Sequence, residues 1–306
     1  MSIRSSLATL KRPIQAWAQR LERHRFASVW ERMLDHDAAN QRIAALVAEA
    51  APCLIARIGH TEGRIVGEYH YRRGHYGRKT RHEAHQYSGI FPVCKLLLDR
   101  FAGVYDQAIA QADLLGFWQT SFQAQLLAQR HPTVPLTALE ALEPYLHPQP
   151  WSAALAGLRV LVVHPFAATI RQQYQAHRLD LFANPATLPA FELQVLAPPQ
   201  TLAPATAGCA DWCMALERLT DQVLSQRFDL ALLGCGAYGL PLGAVIKASR
   251  GKAIHLGGAL QVLFGIRGRR WEQMPAFAAM MNGFWVRAST AETPPAAAQV
   301  DGACYW

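Results

Sequence analysis

No stretch of this 306-residue chain approaches the roughly 18 consecutive apolar residues that would span a bilayer, and its N-terminus has no apolar core of signal-peptide length. From these two absences we expect a cytoplasmic protein. Cysteine is scarce and scattered: of six residues only Cys209 and Cys213 lie close together. One C-x-x-x-C without a second ligand pair is not a zinc pattern, and disulfide frameworks belong mostly to short secreted chains, so reduced thiols are expected. Internal repeats are absent, and so are helix-turn-helix, zinc-finger and aromatic RNP patterns; no nucleic-acid partner is expected. Acidic residues are outnumbered, 22 against 30 Lys and Arg, for a formal net charge of +8. That surplus favours an anionic partner such as a nucleotide, a sugar phosphate or an anionic lipid.

Apolar residues, by contrast, are plentiful. A hydrophobic fraction of 51% beside 17% charged residues describes a folded chain with a sizeable core, in one large α/β domain or two small ones. In the first 33 residues Ile3, Leu7, Leu10, Ile14, Trp17 and Leu21 recur at steps of three and four among Arg4, Lys11, Arg12, Arg20 and Arg23. The pattern predicts an amphipathic helix, interrupted at Pro13, that either packs on its own domain or lies on an anionic membrane surface. We therefore divide the chain into an N-terminal helical segment, 1–35, and a main domain, 36–306. The Pro-rich HPQPW stretch at 147–151 is a candidate lobe boundary, and 196–208 (LAPPQTLAPATAG) a loop.

Beyond residue 53, short apolar runs alternate with segments of helix length. CLIARI (53–58), DLLGFW (113–118), RVLVVH (159–164), FELQVLA (191–197), FDLALLG (228–234) and KAIHLG (252–257) read as buried strands, with VPLTA (134–138) as a seventh. Such spacing predicts a Rossmann-like, mostly parallel, doubly wound sheet of six to seven strands. Ligands of these sheets gather at the strand carboxyl ends. Four ends carry polar or glycine residues: Gly59-His60-Thr61-Glu62, His164-Pro165, Cys235-Gly236-Ala237-Tyr238-Gly239, and His255 with Gly257-Gly258.

Within ARIGHTEGRIV, the strand delivers Arg57, and His60 and Glu62 stand two apart, able to share one side of an extended or turning backbone as metal-binding or phosphate-facing pairs do. The plainer reading is a helix cap, with Thr61 as N-cap residue and Glu62 favourable near the dipole. Gly234, Gly236 and Gly239 match G-x-G-x-x-G, the spacing of amides facing a phosphate, but no acidic residue ends the next strand, which leads into His255 instead. Close helix-to-strand packing through small residues explains the same glycines. In HPFAATIRQQY (164–174), His164 and Thr169 face a ligand, or His164 is satisfied by local backbone. The Tyr-, His- and Arg-rich stretch 68–92 is a basic lid or a solvated loop. Gln261, in the first turn after Gly258, reaches the same rim; Arg267 and Arg270 either complement a helix dipole or join the site if the chain folds back after Gly268.

Taken in order, R-x-G-x-T-E, the D-L-L-G-F-W strand, V-H-P-F-x-x-T-I-x-x-Q-Y, F-D-L-A-L-L-G-C-G-A-Y-G-x-P-L, I-H-L-G-G-A-L-Q-x-L-F-G-I-R-G-x-R-W and a terminal G-x-C-Y-W resemble the GT-D-fold glycosyltransferases of bacterial polysaccharide biosynthesis, over about residues 53–306. The resemblance implies a nucleotide-sugar donor, a glycan or lipid-linked acceptor, peripheral contact with the inner membrane, and an Asp-x-Glu motif for nucleotide and divalent-metal binding. Arg57, Gly59 and Glu62 fall on matching positions, whereas His60 stands where the Asp would be. That exchange removes a hard oxygen ligand for Mg²⁺ and leaves an imidazole that suits Mn²⁺ or a metal-free site. Glu62 is then the base or the metal and nucleotide ligand, the Gly236–Gly239 turn and Gly257-Gly258 approach the diphosphate, and Arg57, Arg267 or Arg270 neutralise it. Two other readings stay open: another nucleotide-dependent enzyme, such as a dehydrogenase or nucleotide-sugar hydrolase, and a non-catalytic nucleotide-sugar-binding scaffold.

Overall fold

The computed structural model describes residues 24–202, 205–295, 297–299 and 303–306. The amphipathic helix expected from Ile3 to Leu21 lies outside them. The chain enters through a short helix α1 (Ala27–Glu31) and a two-residue strand β1 (Met33–Leu34), then α2 (His36–Ala48), capped by Asp35, whose carboxylate accepts from the Ala38 N–H at 2.8 Å. Strand β2 (Cys53–Arg57) leads into α3 (His60–Tyr71), α4 (Arg78–Gln86) and α5 (Lys95–Ala110). Next come β3 (Leu114–Phe117), α6 (Ser121–Gln129) and β4 (Leu136–Ala138), and short 3₁₀ turns carry the chain to β5 (Arg159–Val163). The second half continues with α7 (Ala167–His177), β6 (Glu192–Leu196), α8 (Trp212–Leu224), β7 (Leu230–Leu233), α9 (Gly239–Ala248) and β8 (Lys252–His255). A compact tail of α10 (Leu260–Leu263), β9 (Ile266–Arg267), α11 (Arg269–Glu272), α12 (Pro275–Ala278) and β10 (Val286–Arg287) follows.

All seven expected strands form, and β1 adds an eighth at the edge. The order is β1-β4-β3-β2-β8-β7-β5-β6, with every pairing parallel. Strand β1 comes from residues read as helical; two residues are too few for a period-2 signal, and pairing with Leu136 and Thr137 decides their conformation. The central strands β2, β3 and β7 are buried except at Arg57, the last residue of β2, because helices cover both faces. On one face Ile65, Phe101, Trp212 and Leu240 from α3, α5, α8 and α9 form one core. On the other, Ile43, Trp151, Ile170 and Phe264 from α2, a 3₁₀ turn, α7 and the tail form a second. The 147–151 stretch carries the crossover between sheet halves and is sewn to α2: Asn40 donates to the Gln149 carbonyl (2.7 Å) and accepts from the Trp151 N–H (2.8 Å).

The stretch 68–92 is neither a lid in the form of an open loop nor a solvated one. Most of it is α3 and α4, with Tyr76, Thr80 and Ala84 buried; in the basic helix α4, Arg78 and Lys79 are exposed while Arg81 donates to the Tyr76 and Val93 carbonyls. All six cysteines are free thiols. No helix among the described residues is long and apolar enough to cross a membrane.

One polar cluster ties α3, α5 and the loop after α6 together. Asp106 receives His131 Nε2 at 2.7 Å, His70 Nε2 at 3.0 Å and Arg130 at 3.2 Å. Burial pushes its carboxyl up, but these partners outweigh burial and hold it at about 2, against an ordinary 3.8. A depressed carboxylate contributes stability that is present above the unfolded value and lost as pH falls toward the folded one. Asp106→Asn is expected to cost about 2 kcal/mol in urea unfolding at pH 7. That cost should shrink as the pH is lowered from 4 toward 2; an undiminished cost there would mean that packing, not the charge, is what matters.

Candidate functional site

The carboxyl ends of β2, β3, β4 and β8 open into a cleft of about 600 Å³, walled by Arg57, Glu62, Trp118, Glu143, His255 and Arg270 among others. A smaller cavity of about 100 Å³ adjoins it at the ends of β5 and β7. Tyr87, Ser88, Gly236, Gly258 and Tyr305 belong to the walls of both. The next strand after β5 is its outer neighbour β6, and the next after β7 is β8 on the opposite side. The crevice between β5 and β7 is thus a topological switch point, where ligand sites of such sheets form.

At the first strand end the backbone turns sooner than the extended reading requires. Gly59 is the N-cap of α3, not Thr61, and no side chain caps it; Thr61 is buried. Because His60 and Glu62 sit on a helix, two positions apart, they face different ways. His60 is exposed, and its Nε2 lies 2.7 Å from Arg64 Nη2 one turn on. Partial desolvation of the ring and the Arg64 charge hold its imidazole below the ordinary range. Glu62 turns inward: a Cβ built on Gly59 would fall 1.8 Å from Glu62 Oε2, so only glycine leaves room for the carboxyl. Burial raises the Glu62 carboxyl, while Ser88 and Arg57 oppose the rise. Gly59 itself is fixed by its N–H on Tyr105 Oη (3.2 Å) and its carbonyl on Gln123 Nε2 (3.1 Å).

These positions do not suit a divalent cation. An arginine donates to the imidazole nitrogen of His60, the carboxylate of Glu62 is on another side of the helix, and no group of three His, Cys, Asp or Glu able to hold a metal ion exists among the described residues. What the cleft has instead is a second buried carboxyl. Glu143, in the turns after β4, is pushed up to about 7 by burial, against the pull of Arg57 and of the Tyr145 hydroxyl, which donates at 2.9 Å. Arg57 therefore lies in the field of both Glu62 and Glu143. Its guanidinium donates to the Leu256 carbonyl (3.1 Å) and sits 5.5 Å from the Trp118 ring.

The histidines and glycines of the rim prove to be partners of one another. His164 Nδ1 accepts from the Phe166 N–H at 3.0 Å, as the local-backbone reading expects, and burial lowers its pKa to about 3. The neutral ring therefore carries its proton on Nε2, and the residue lines the small cavity. His255 has the opposite tautomer: Nδ1–H donates to the Leu233 carbonyl (3.1 Å), burial again lowers the pKa to about 3, and Nε2 is an acceptor. A Cβ on Gly234 would meet His164 Cδ2 at 2.3 Å, and one on Gly239 would meet His255 Nδ1 at 2.1 Å. Of the three motif glycines only Gly236, at φ +57°, faces open space. Gly257, at φ +60°, lies against the Arg57 side chain, and Gly258 against the Tyr305 ring. Tyr238 is buried, stacked on Trp212 at 5.3 Å and bonded to Thr201 Oγ1 at 2.8 Å.

The chain does fold back after Gly268, which separates the two arginines. Arg270 lines the large cleft, 5.0 Å from the Tyr305 ring. Arg267 lines neither cavity and donates to the Asn282 carbonyl at 2.8 Å. Gln261 is fully buried, and its amide nitrogen holds the carbonyls of Ile266, Arg267 and Tyr305, so it binds the tail first. Thr169 is likewise engaged: Glu292 takes its hydroxyl and the N–H groups of Ala168 (2.6 Å) and Thr169 (3.2 Å), placing the protein's own anion at the N-terminus of α7. Glu292→Gln is expected to lower stability by about 1 kcal/mol, read from the thermal midpoint. No change would show that the Glu292 charge contributes nothing at that helix end.

Fold and site together define an α/β protein with a cleft, lined by charged and aromatic side chains, on the carboxyl rim of a parallel sheet. No family model, curated protein or solved structure matches the chain.

Proposed function

We propose that the chain is a GT-D-like glycosyltransferase that moves a sugar from a nucleotide-sugar donor to a cell-surface polysaccharide or lipid-linked glycan, working at the cytoplasmic face of the membrane. One observation carries this reading: two buried carboxyls, Glu62 and Glu143, share the field of one arginine in a cleft large enough for a sugar nucleotide. Transfer needs a base for the acceptor hydroxyl and positive charge for the departing diphosphate. Glu143 takes the proton, being poised near neutral pH. Arg57 and Arg270 neutralise the diphosphate, a task for which the site offers cations rather than metal ligands. Glu62 accepts from a donor hydroxyl beside Ser88.

Nucleotide release from UDP-, GDP-, CMP- and dTDP-sugars, with and without lipid-linked acceptors, tests this. Acceptor-dependent release with one donor is expected, and Glu62→Gln should reduce it by about 100-fold, the scale of a lost charge-assisted hydrogen bond in the transition state. Retention within a few fold would remove Glu62 from the site. Thermal stabilisation by NAD alone would overturn the transferase reading. The same carboxyl pair also suits hydrolysis with water as acceptor; release independent of any acceptor would mark that activity instead.

A further inference from the structure

A phenol hydroxyl carries one proton, yet that of Tyr145 lies within reach of two acceptors, Glu143 Oε2 at 2.9 Å and the Ala259 carbonyl at 3.1 Å. All three residues are buried. The Tyr145 ring packs against Phe182 and Phe277, and rotation about its C–O bond redirects the proton without moving the ring. Glu143 decides the direction. As a carboxylate it only accepts, and Tyr145 donates to it. As a neutral acid it has a proton of its own to place: Oε2–H donates to Tyr145 Oη, and the phenol proton turns to the Ala259 carbonyl. Tyr145 keeps its proton in both states, and the one proton gained or lost is that of Glu143.

Ala259 closes the 3₁₀ turn Gly257–Ala259, which lines the cleft beside Glu143. One residue before this turn, the Leu256 carbonyl accepts from Arg57, whose charge favours the ionised form of Glu143. The stretch between β8 and α10 is therefore held at both ends by groups that face one carboxyl. Glu140, in the preceding 3₁₀ turn, opposes Arg57, and Glu62, His255 and Arg270 line the same cleft.

We propose that Tyr145 is the positioning residue of Glu143 and a proton-operated latch: the Gly257–Ala259 turn is fastened while Glu143 holds a proton and released when Glu143 ionises. Its part in turnover rests on the transferase reading, in which Glu143 takes the acceptor's proton and so fastens this wall of the cleft.

Carbon NMR of the ligand-free full chain, labelled at Glu carboxyls and Ala carbonyls, reads both ends of the latch without turnover. Glu143→Gln identifies the Glu143 signal by its loss. The Ala259 carbonyl should shift with the same midpoint as Glu143, about 7. Tyr145→Phe keeps the ring; in it the Ala259 shift should vanish. The Glu143 midpoint should rise there by about one pH unit, because a hydrogen bond to a carboxylate is roughly twice as strong as one between neutral groups. In Glu143→Gln, whose amide donates to Tyr145 as the neutral acid does, Ala259 should keep its low-pH position throughout. An Ala259 signal that stays flat through the Glu143 titration of the unaltered protein overturns the latch. So does a Glu143 midpoint unmoved in Tyr145→Phe, or an Ala259 shift near pH 7 that survives in Glu143→Gln. A chain that shows the coupled shift yet transfers no sugar keeps the latch and loses the transferase reading.

Discussion

Glu143→Gln is expected to lower sugar transfer by about 10²–10⁴-fold, the contribution of a positioned general base, while making the ligand-free protein more stable above neutral pH. The two effects have one origin. Burial lifts the Glu143 carboxyl from 4.5 to about 7, so the folded protein prefers it protonated. The neutral form's stability is fully present below the unfolded value and is lost as pH climbs through about 7, up to about 3 kcal/mol in all. Glutamine has the same shape without that loss. At pH 8 the variant should therefore unfold at higher urea concentration than the parent, and at pH 4 the two should agree. In the parent, kcat should rise with pH through about 7 as the base ionises; in the variant that limb should flatten. A residue that only packs would lose stability on replacement and leave the pH profile in place. Activity within a few fold of the parent would remove Glu143 as the proton acceptor.

Glu143 also shows where the sequence was legible and where it was not. The strands were readable because each is a continuous apolar run, and the rule that ligands collect at strand carboxyl ends placed Arg57, Glu62, His255 and Gly236 on the rim. Applied to the end of β4, the same rule points at the LEALEPYL stretch, and Glu140 and Glu143 both line the cleft. Strand β4 has only three residues, too short an apolar run to mark its end in the sequence as the longer strands do. Tyr105 and Ser88 carry no local signal: a helix-interior tyrosine and a lone serine reach Gly59 and Glu62 only through the fold. The His60–Glu62 pairing failed for a specific reason, since spacing of two means one side in a strand and different sides in a helix. Thr169 and Gln261 fit a ligand-facing rim by position, but position along the chain cannot show that Glu292 and the tail carbonyls already occupy them.

Gly239→Ala is expected to cost about 3 kcal/mol, and most of that cost should vanish when His255 is also shortened to Ala. The added methyl would lie 2.1 Å from His255 Nδ1 and 2.2 Å from Cε1, inside any tolerable contact. The ring is almost wholly buried at the end of a central strand and held by the Leu233 carbonyl, so yielding to the methyl breaks that hydrogen bond. Gly234→Ala makes the same conflict with His164 but should be relieved only in part, because its methyl also lies 3.1 Å from the Gly257 carbonyl and from Leu260 Cδ2. Gly236→Ala meets no atom and pays only for its left-handed backbone, about 1 kcal/mol. The glycine spacing thus answers two separate demands. Two positions make room for buried histidines that set the donors and acceptors of the rim, and one leaves the backbone open where the cavities meet. A double-mutant cycle in urea decides between this account and a phosphate cradle. Strong coupling between Gly239→Ala and His255→Ala supports the histidine partnership. Additive costs, with loss of nucleotide affinity in Gly239→Ala alone, would assign the glycine to a ligand.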